Sequence, residues 1–153
     1  MLIRPFKPDF SQACCDVINA SISATQGLTD AARFQAISKN VPSDLCADLQ
    51  AGYTLVAELY GQIVALGSLT DDGTIRRVYI SPDVHGQTVG QSLMQKLEEA
   101  AHIRGHQEIH VDAASSSVAF YENLGYAIVG QVTDDAAFET MKMCKSLAEQ
   151  AGV

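Results

Sequence analysis

The sequence predicts an α+β, three-layer sandwich, with one sheet carrying helices on both faces. Three observations predict it. Between residues 53 and 80, apolar and polar positions alternate with period two, and turn signals break the run into strands joined by hairpins. Residues 10–24 and 89–103 instead place apolar side chains at helical spacing. After residue 105 a shorter strand, a short helix and a final strand pair follow, giving the order βααβββαβαββ.

Residues 2–6 read as a first strand, ended by Pro5 or Pro8. Asp9 stands three residues before Gln12, a variant capping box for a helix striped by Phe10, Ala13, Cys14, Val17 and Ile18. Residues 25–28 read as a loop. Asp30 or Thr29 caps a second helix through Ser38, and Asn40, Pro42 and Ser43 break it. Residues 44–52 make a further turn or two, closed by Gly52. Tyr53 to Leu59, Ile63 to Leu69 and Thr74 to Ile80 are strands, with Gly61-Gln62 and Asp71-Asp72-Gly73 as the turns. Val89, Leu93, Leu97, Ala100 and Ile103 mark one face of the next helix, and Gly105 ends it. Glu108 to Asp112 is a short strand, and 115–124 a short helix closed by Gly125. Residues 126–132 and 138–142 form the last antiparallel pair.

At 153 residues the chain is long enough for one domain with a sizeable core, and a single domain over 1–153 is expected. A formal net charge of −8 argues against a nucleic-acid partner, which a basic face would serve. No apolar run approaches membrane-spanning length, and the start is too polar for a signal peptide. Four cysteines without metal or disulfide spacing fit reduced thiols in a cytoplasm.

The stretch TIRRVYISPDVHGQTVGQS, residues 74–92, organises the rest. It runs from a strand through a glycine-bearing loop into a helix. Free N–H groups and the positive end of a helix dipole then point the same way, which suits an anion such as phosphate. A Walker loop is excluded, because no Lys-Ser or Lys-Thr follows Gly90. A dinucleotide fingerprint has the wrong glycine spacing.

The later segment SSSVAFYENLGY adds a second motif. Together with the loop and the element order, it resembles the GNAT superfamily of acyl-CoA N-acyltransferases. That family carries Ala-x-x-Phe-Tyr-x-x-x-Gly-Phe on a helix after the pyrophosphate helix. Phe120, Tyr121, Gly125 and Tyr126 match it, with Ser117 at the alanine position. The family's loop pattern, Arg-x-x-Gly-x-Gly, falls on His85, Thr88 and Gly90; only the last matches, while Gly86 matches an extra glycine common in the family.

The resemblance implies the acyl-CoA N-acyltransferase fold, with a mixed, largely antiparallel sheet of six to seven strands. It implies acetyl-CoA as co-substrate and no metal. The pantetheine arm would pair with backbone at Val78, Tyr79 and Ile80. The pyrophosphate would rest on His85, Gly86, Gln87, Thr88, Val89 and Gly90, with Gln91, Ser92, Ser115 and Phe120 completing the cofactor site. Tyr121 would be the general acid that protonates the departing thiolate. The base is left open among Asp112, His110, Glu58 and a water chain, since neither Thr74 nor Arg76 is adequate. The loop at 25–28 and the last two strands would wall the acceptor. A homodimer is a further expectation.

Two departures bear on the cofactor. Thr88 followed by Gln91 reads as a capping box whose hydroxyl either competes with phosphate or donates to it. His85 puts a group that titrates near neutrality where relatives keep a permanent cation. The histidines His102, His106 and His110 do not share a helix face, because Gly105 intervenes, so a metal is not expected from them. Adjacent Cys14 and Cys15 are not expected to face inward together. Met141 and Met143 read as a core face. The function expected is an N-acetyltransferase acting directly on a primary amine of a small molecule or peptide, away from membranes. The competing reading is an acyl-CoA sensor of the same fold without turnover.

Overall fold

The computed structural model describes residues 1–24, 29–38, 42–84, 87–114, 117–133 and 139–147. The elements are β1 (Leu2–Pro5), α1 (Ser11–Ala24), α2 (Asp30–Ser38), α3 (Pro42–Ala51), β2 (Tyr53–Leu59), β3 (Gln62–Leu69), β4 (Thr74–Ile80), α4 (Gln87–Ile103), β5 (Glu108–Ala114), α5 (Val118–Asn123), β6 (Ala127–Thr133) and β7 (Glu139–Ser146). The strands form one sheet in the order β1-β2-β3-β4-β5-β7-β6. Every junction is antiparallel except β4–β5, which is parallel and is crossed by α4.

One helix more is present than the predicted order counts. The second helix ends at Ser38 as expected, but the turn or two expected over 44–52 is a full helix that Pro42 opens. At the first helical position its missing N–H is one the helix would leave unpaired anyway. Thr29 is the cap of α2, its Oγ1 accepting from the Ala32 N–H at 3.1 Å. The Asp9–Gln12 capping box is not formed. A 3-10 turn at Pro8–Phe10 precedes α1, and Gln12 donates to Asp16 Oδ1 instead.

The first hairpin turns at Tyr60-Gly61, one residue earlier than predicted. Both residues have positive φ (53° and 78°), as a two-residue turn matched to strand twist requires. Gly105 and Gly125, at φ 91° and 99°, close α4 and α5 in the same way. Gly105 N–H donates to His102 and His106 N–H to Ala101; Gly125 N–H donates to Glu122 and Tyr126 N–H to Tyr121. These paired bonds absorb the last carbonyls of each helix.

Both faces of the sheet are covered. Under α1 and α3, Cys14, Cys15, Val17, Ile18, Leu45 and Leu49 meet Val56 and Leu66. On the other face, Leu93, Met94, Leu97 and Ala101 of α4 meet Leu55, Ala65, Leu69, Ile75, Ile109, Val111 and Met143. The alternation of Leu55 with Val56 and of Ala65 with Leu66 sends neighbours to opposite layers. Cys14 and Cys15 are both buried, against expectation, because α1 packs on the sheet with one side and on α2 and α3 with others. Burial pushes the Cys14 thiol up to about 12 and also raises Cys15. Ile103, expected on the inner face of α4, is exposed; the stripe from Val89 through Leu93 and Leu97 continues to Ala101. Met143 is fully buried and Met141 packs against the same core, as expected.

Candidate active site

Strands β4 and β5 are in register only at Thr74–His110 and Ile75–Val111. Beyond those pairs they diverge, although β4 continues to Ile80 and β5 to Ala114. On its β5 side, the backbone of 76–80 therefore lacks strand partners among the described residues. Unpaired strand backbone next to a cavity offers donors and acceptors to an extended ligand.

A bulge shapes the same stretch. Against β3, Leu66 pairs with Tyr79 while Ser68 pairs with Arg76, so β4 holds one extra residue. Arg77 lies inside this bulge with φ 56°, a conformation uncommon for a side-chain-bearing residue. Its Nε contacts Asp48 Oδ2 of α3 at 2.6 Å. That ion pair ties the bulge to the helical layer.

The splay encloses a cavity of about 250 Å³, lined by Val78, Tyr79, Val111, Asp112, Ser117 and Tyr121 among others. A second cavity of about 620 Å³ lies beyond Arg77 and Tyr79, which line both, and is bordered by Asp48, Ser68, Asp71 and Arg76. The bulge thus stands as a wall between two chambers.

Tyr121 is 5% exposed, on α5. Phe120 meets its ring edge-on at 5.0 Å, and Tyr126 at 5.7 Å. Among the described residues its hydroxyl has no hydrogen-bond partner. Burial, with Tyr79 adding to it, pushes its phenol well above the usual tyrosine range, so it stays protonated at neutral pH. Tyr126 differs: its hydroxyl donates to Glu98 Oε2 at 2.8 Å. Glu98, 5% exposed, also accepts from Lys145 Nζ at 2.9 Å.

At the loop that follows β4, α4 begins at Gln87, so Thr88 lies inside the first turn and is exposed. It is not the cap that the Thr88–Gln91 spacing predicts, because the helix starts two residues earlier than that box requires. Val89 is buried in the core, and Gln91 and Ser92 follow on the helix. Gly90 is a packing requirement: a Cβ there would come within 2.8 Å of Ile80 Cδ1 and of the Phe120 ring. One glycine therefore lets α4, β4 and α5 meet where the two motifs converge. His85, Gly86 and Ser115 lie outside the described residues.

Comparisons with known proteins agree with this geometry. A family model described as an acetyltransferase (GNAT) domain matches residues 19–147. The chain belongs to that family. A GCN5-related N-acetyltransferase from Rhodopseudomonas palustris is 27% identical, with a TM-score of 0.84 over 95% of this chain and 94% of that one. PaiA N-acetyltransferase from Thermoplasma acidophilum, in complex with coenzyme A, has a TM-score of 0.80 at 16% identity, covering 95% of this chain and 98% of its own. YncA from Salmonella typhimurium, with acetyl-CoA, reaches 0.68 at 19% identity, covering 96% and 94%. The mostly antiparallel seven-stranded sheet with its helices matches the acyl-CoA N-acyltransferase fold, and the protein is a GNAT acetyltransferase.

Within this GNAT domain the expected base candidates separate. Asp112 lines the splay cavity. Glu58 sits on β2 and is taken by Arg4 Nη2 at 3.0 Å, well away in the sheet order. His110 faces Glu108 at the closed end of the splay. Sequence reasoning missed three residues that shape the site's surroundings: Arg77, Asp48 and Glu98. Glu98 had a legible signal, since it lies four residues after Met94 and three before Ala101, within the apolar face of α4.

Proposed function

We propose that this GNAT domain transfers the acetyl group of acetyl-CoA directly to a primary amine within a ternary complex. The observation that carries it is the buried Tyr121 hydroxyl, without a hydrogen-bond partner among the described residues, on the wall of a cavity opened between β4 and β5. The backbone of Val78, Tyr79 and Ile80, without strand partners on its β5 side among the described residues, holds the pantetheine arm. The N–H groups of the first turn of α4, with Thr88 exposed beside them, hold the pyrophosphate together with His85 and Gly86. Gln91, Ser92, Ser115 and Phe120 complete the cofactor side.

The amine nitrogen attacks the thioester carbonyl and a C–N bond forms. The C–S bond then breaks, and Tyr121 delivers its proton to the departing sulfur. Burial raises the phenol, and the same dry cleft disfavours a thiolate, so the proton moves between two groups displaced in one direction. Asp112, directly or through water, takes the proton that the amine sheds. The larger chamber beyond Arg77 and Tyr79, with carboxylates and guanidinium groups on its wall, is the acceptor side. No described helix is long and apolar enough to cross a membrane, and four free thiols fit a reducing cytoplasm.

The test is thermal stabilisation by acetyl-CoA, CoA and ATP, followed by thiol release with an amine panel. Dose-dependent stabilisation by acetyl-CoA but not by ATP, with amine-dependent thiol release, is the expected result. Stabilisation without turnover would instead establish a sensor. Stabilisation by ATP alone would remove the reading.

A further inference from the structure

A second chemical cluster lies on the outer face of β5 and β7, away from α4. Ile109 and Val111 point into the core, so Glu108 and His110 point the other way. Antiparallel pairing sets Cys144 of β7 directly opposite His110. Three different donor groups therefore project from adjacent strand positions on one surface. Glu108 Oε2 lies 3.6 Å from His110 Nε2 and 3.7 Å from Cys144 Sγ. All three donor atoms fall within 4.8 Å of one another.

We propose that Glu108, His110 and Cys144 form a three-ligand site for a thiophilic divalent cation of the zinc class. Bond lengths of about 2.0–2.3 Å at tetrahedral angles put donor atoms about 3.3–3.6 Å apart, close to the two spacings from Glu108, and the third pair, within 4.8 Å, closes by side-chain rotation. The thiol selects against magnesium and calcium, which take oxygen donors, and the imidazole and carboxylate suit zinc or cobalt(II). Two of the ligands sit two residues apart on one strand and the third on its hydrogen-bonded neighbour. The sheet, not a loop, fixes their spacing. Glu108 and His110 are exposed and Cys144 is half-buried, so an ion and its fourth ligand, a water, have access. Binding converts the Cys144 thiol to a thiolate and releases one proton to solvent. The site uses one of three histidines in the segment 102–110; His102 and His106 are not part of it.

The test is a cobalt(II) titration of chelator-treated full-length protein, kept reduced without added thiols. One equivalent should raise a thiolate-to-cobalt charge-transfer band in the near ultraviolet, and zinc should abolish it. Cys144→Ser should lose the band. His110→Ala and Glu108→Gln should weaken cobalt binding at least tenfold. Cys46→Ser and His106→Ala should leave it unchanged. Thermal melts of each variant without metal establish that it is folded. Absence of the band in the wild-type protein, its survival in Cys144→Ser, or its loss in Cys46→Ser would overturn the proposal.

Discussion

Beneath α1 and α3 the sheet meets aliphatic side chains, two thiols and a closed pair of hydroxyls, Thr54 and Ser68, 2.7 Å apart. Beneath α4 and α5 it meets an equally buried layer that also holds a carboxylate, an ammonium and two phenols. In the first layer the hydroxyl pair is satisfied, with Thr54 also donating to the Leu49 carbonyl, and the Cys14 and Cys15 thiols stay protonated through burial. In the second, burial pushes both phenols upward, so titration does not distinguish them. Partnership does. Tyr126 is held by Glu98, while Tyr121 lines the splay cavity and its hydroxyl has no hydrogen-bond partner among the described residues.

The comparison breaks most visibly at Tyr121. Tyr121→Phe should lower kcat by about 10²–10⁴-fold while thermal stabilisation by acetyl-CoA persists. An unchanged kcat would make this phenol as structural as its neighbour. Glu98→Ala strikes the partnered side of the same layer. It strands Lys145, whose side chain is 16% exposed, and should cost about 3–5 kcal/mol in urea unfolding. A cost near zero would mean that the carboxylate is dispensable to this layer. Gly90→Ala tests the junction of the motifs. Displacing Ile80 and the Phe120 ring should cost about 1 kcal/mol net of the helix gain and raise KM for acetyl-CoA.

The smallest signal belongs to the thiol layer. The folded state favours the protonated Cys14 thiol, raised from its ordinary 9.0 to about 12. Stability from this group is thus complete below pH about 9 and declines as pH rises toward about 12. Cys14→Ala should flatten that decline by under about 1.4 kcal/mol per pH unit in alkaline unfolding series. Equal slopes in the two proteins would contradict the placement of this thiol.

Much of the second layer was legible in the sequence. The spacing of Phe120, Tyr121, Gly125 and Tyr126 is local. Gly125 closes the helix, and the Tyr126 N–H returns to the Tyr121 carbonyl, so four letters fix how two phenols sit. The hairpins around Gly61 and Gly73 were legible because each glycine takes a positive φ, although Tyr60, which shares the first turn, moved it one residue earlier. The double burial of Cys14 and Cys15 was not, because it depends on helices that arrive later in the chain and cover a second side of α1. The Arg77 bulge was not legible either. Nothing local marks an arginine as the residue that will take a left-handed conformation, and its partner Asp48 lies far off in the sequence, in a helix of which only a turn or two was expected. For the base, the sequence offered two carboxylates, a histidine and a water chain, and only their positions across the sheet separate Asp112 from Glu58.

The parallel seam has a mechanical consequence. Each antiparallel junction spans at least four register pairs, whereas β4–β5 spans two. The sheet is therefore two stiff plates, β1–β4 and β5-β7-β6, joined along a short hinge. A molecule lodged in the splay is a wedge gripped by both plates, and it damps their motion against each other. That damping is lost entropy, which offsets part of the contact energy. Substitutions that stiffen the hinge without touching the wedge should tighten binding.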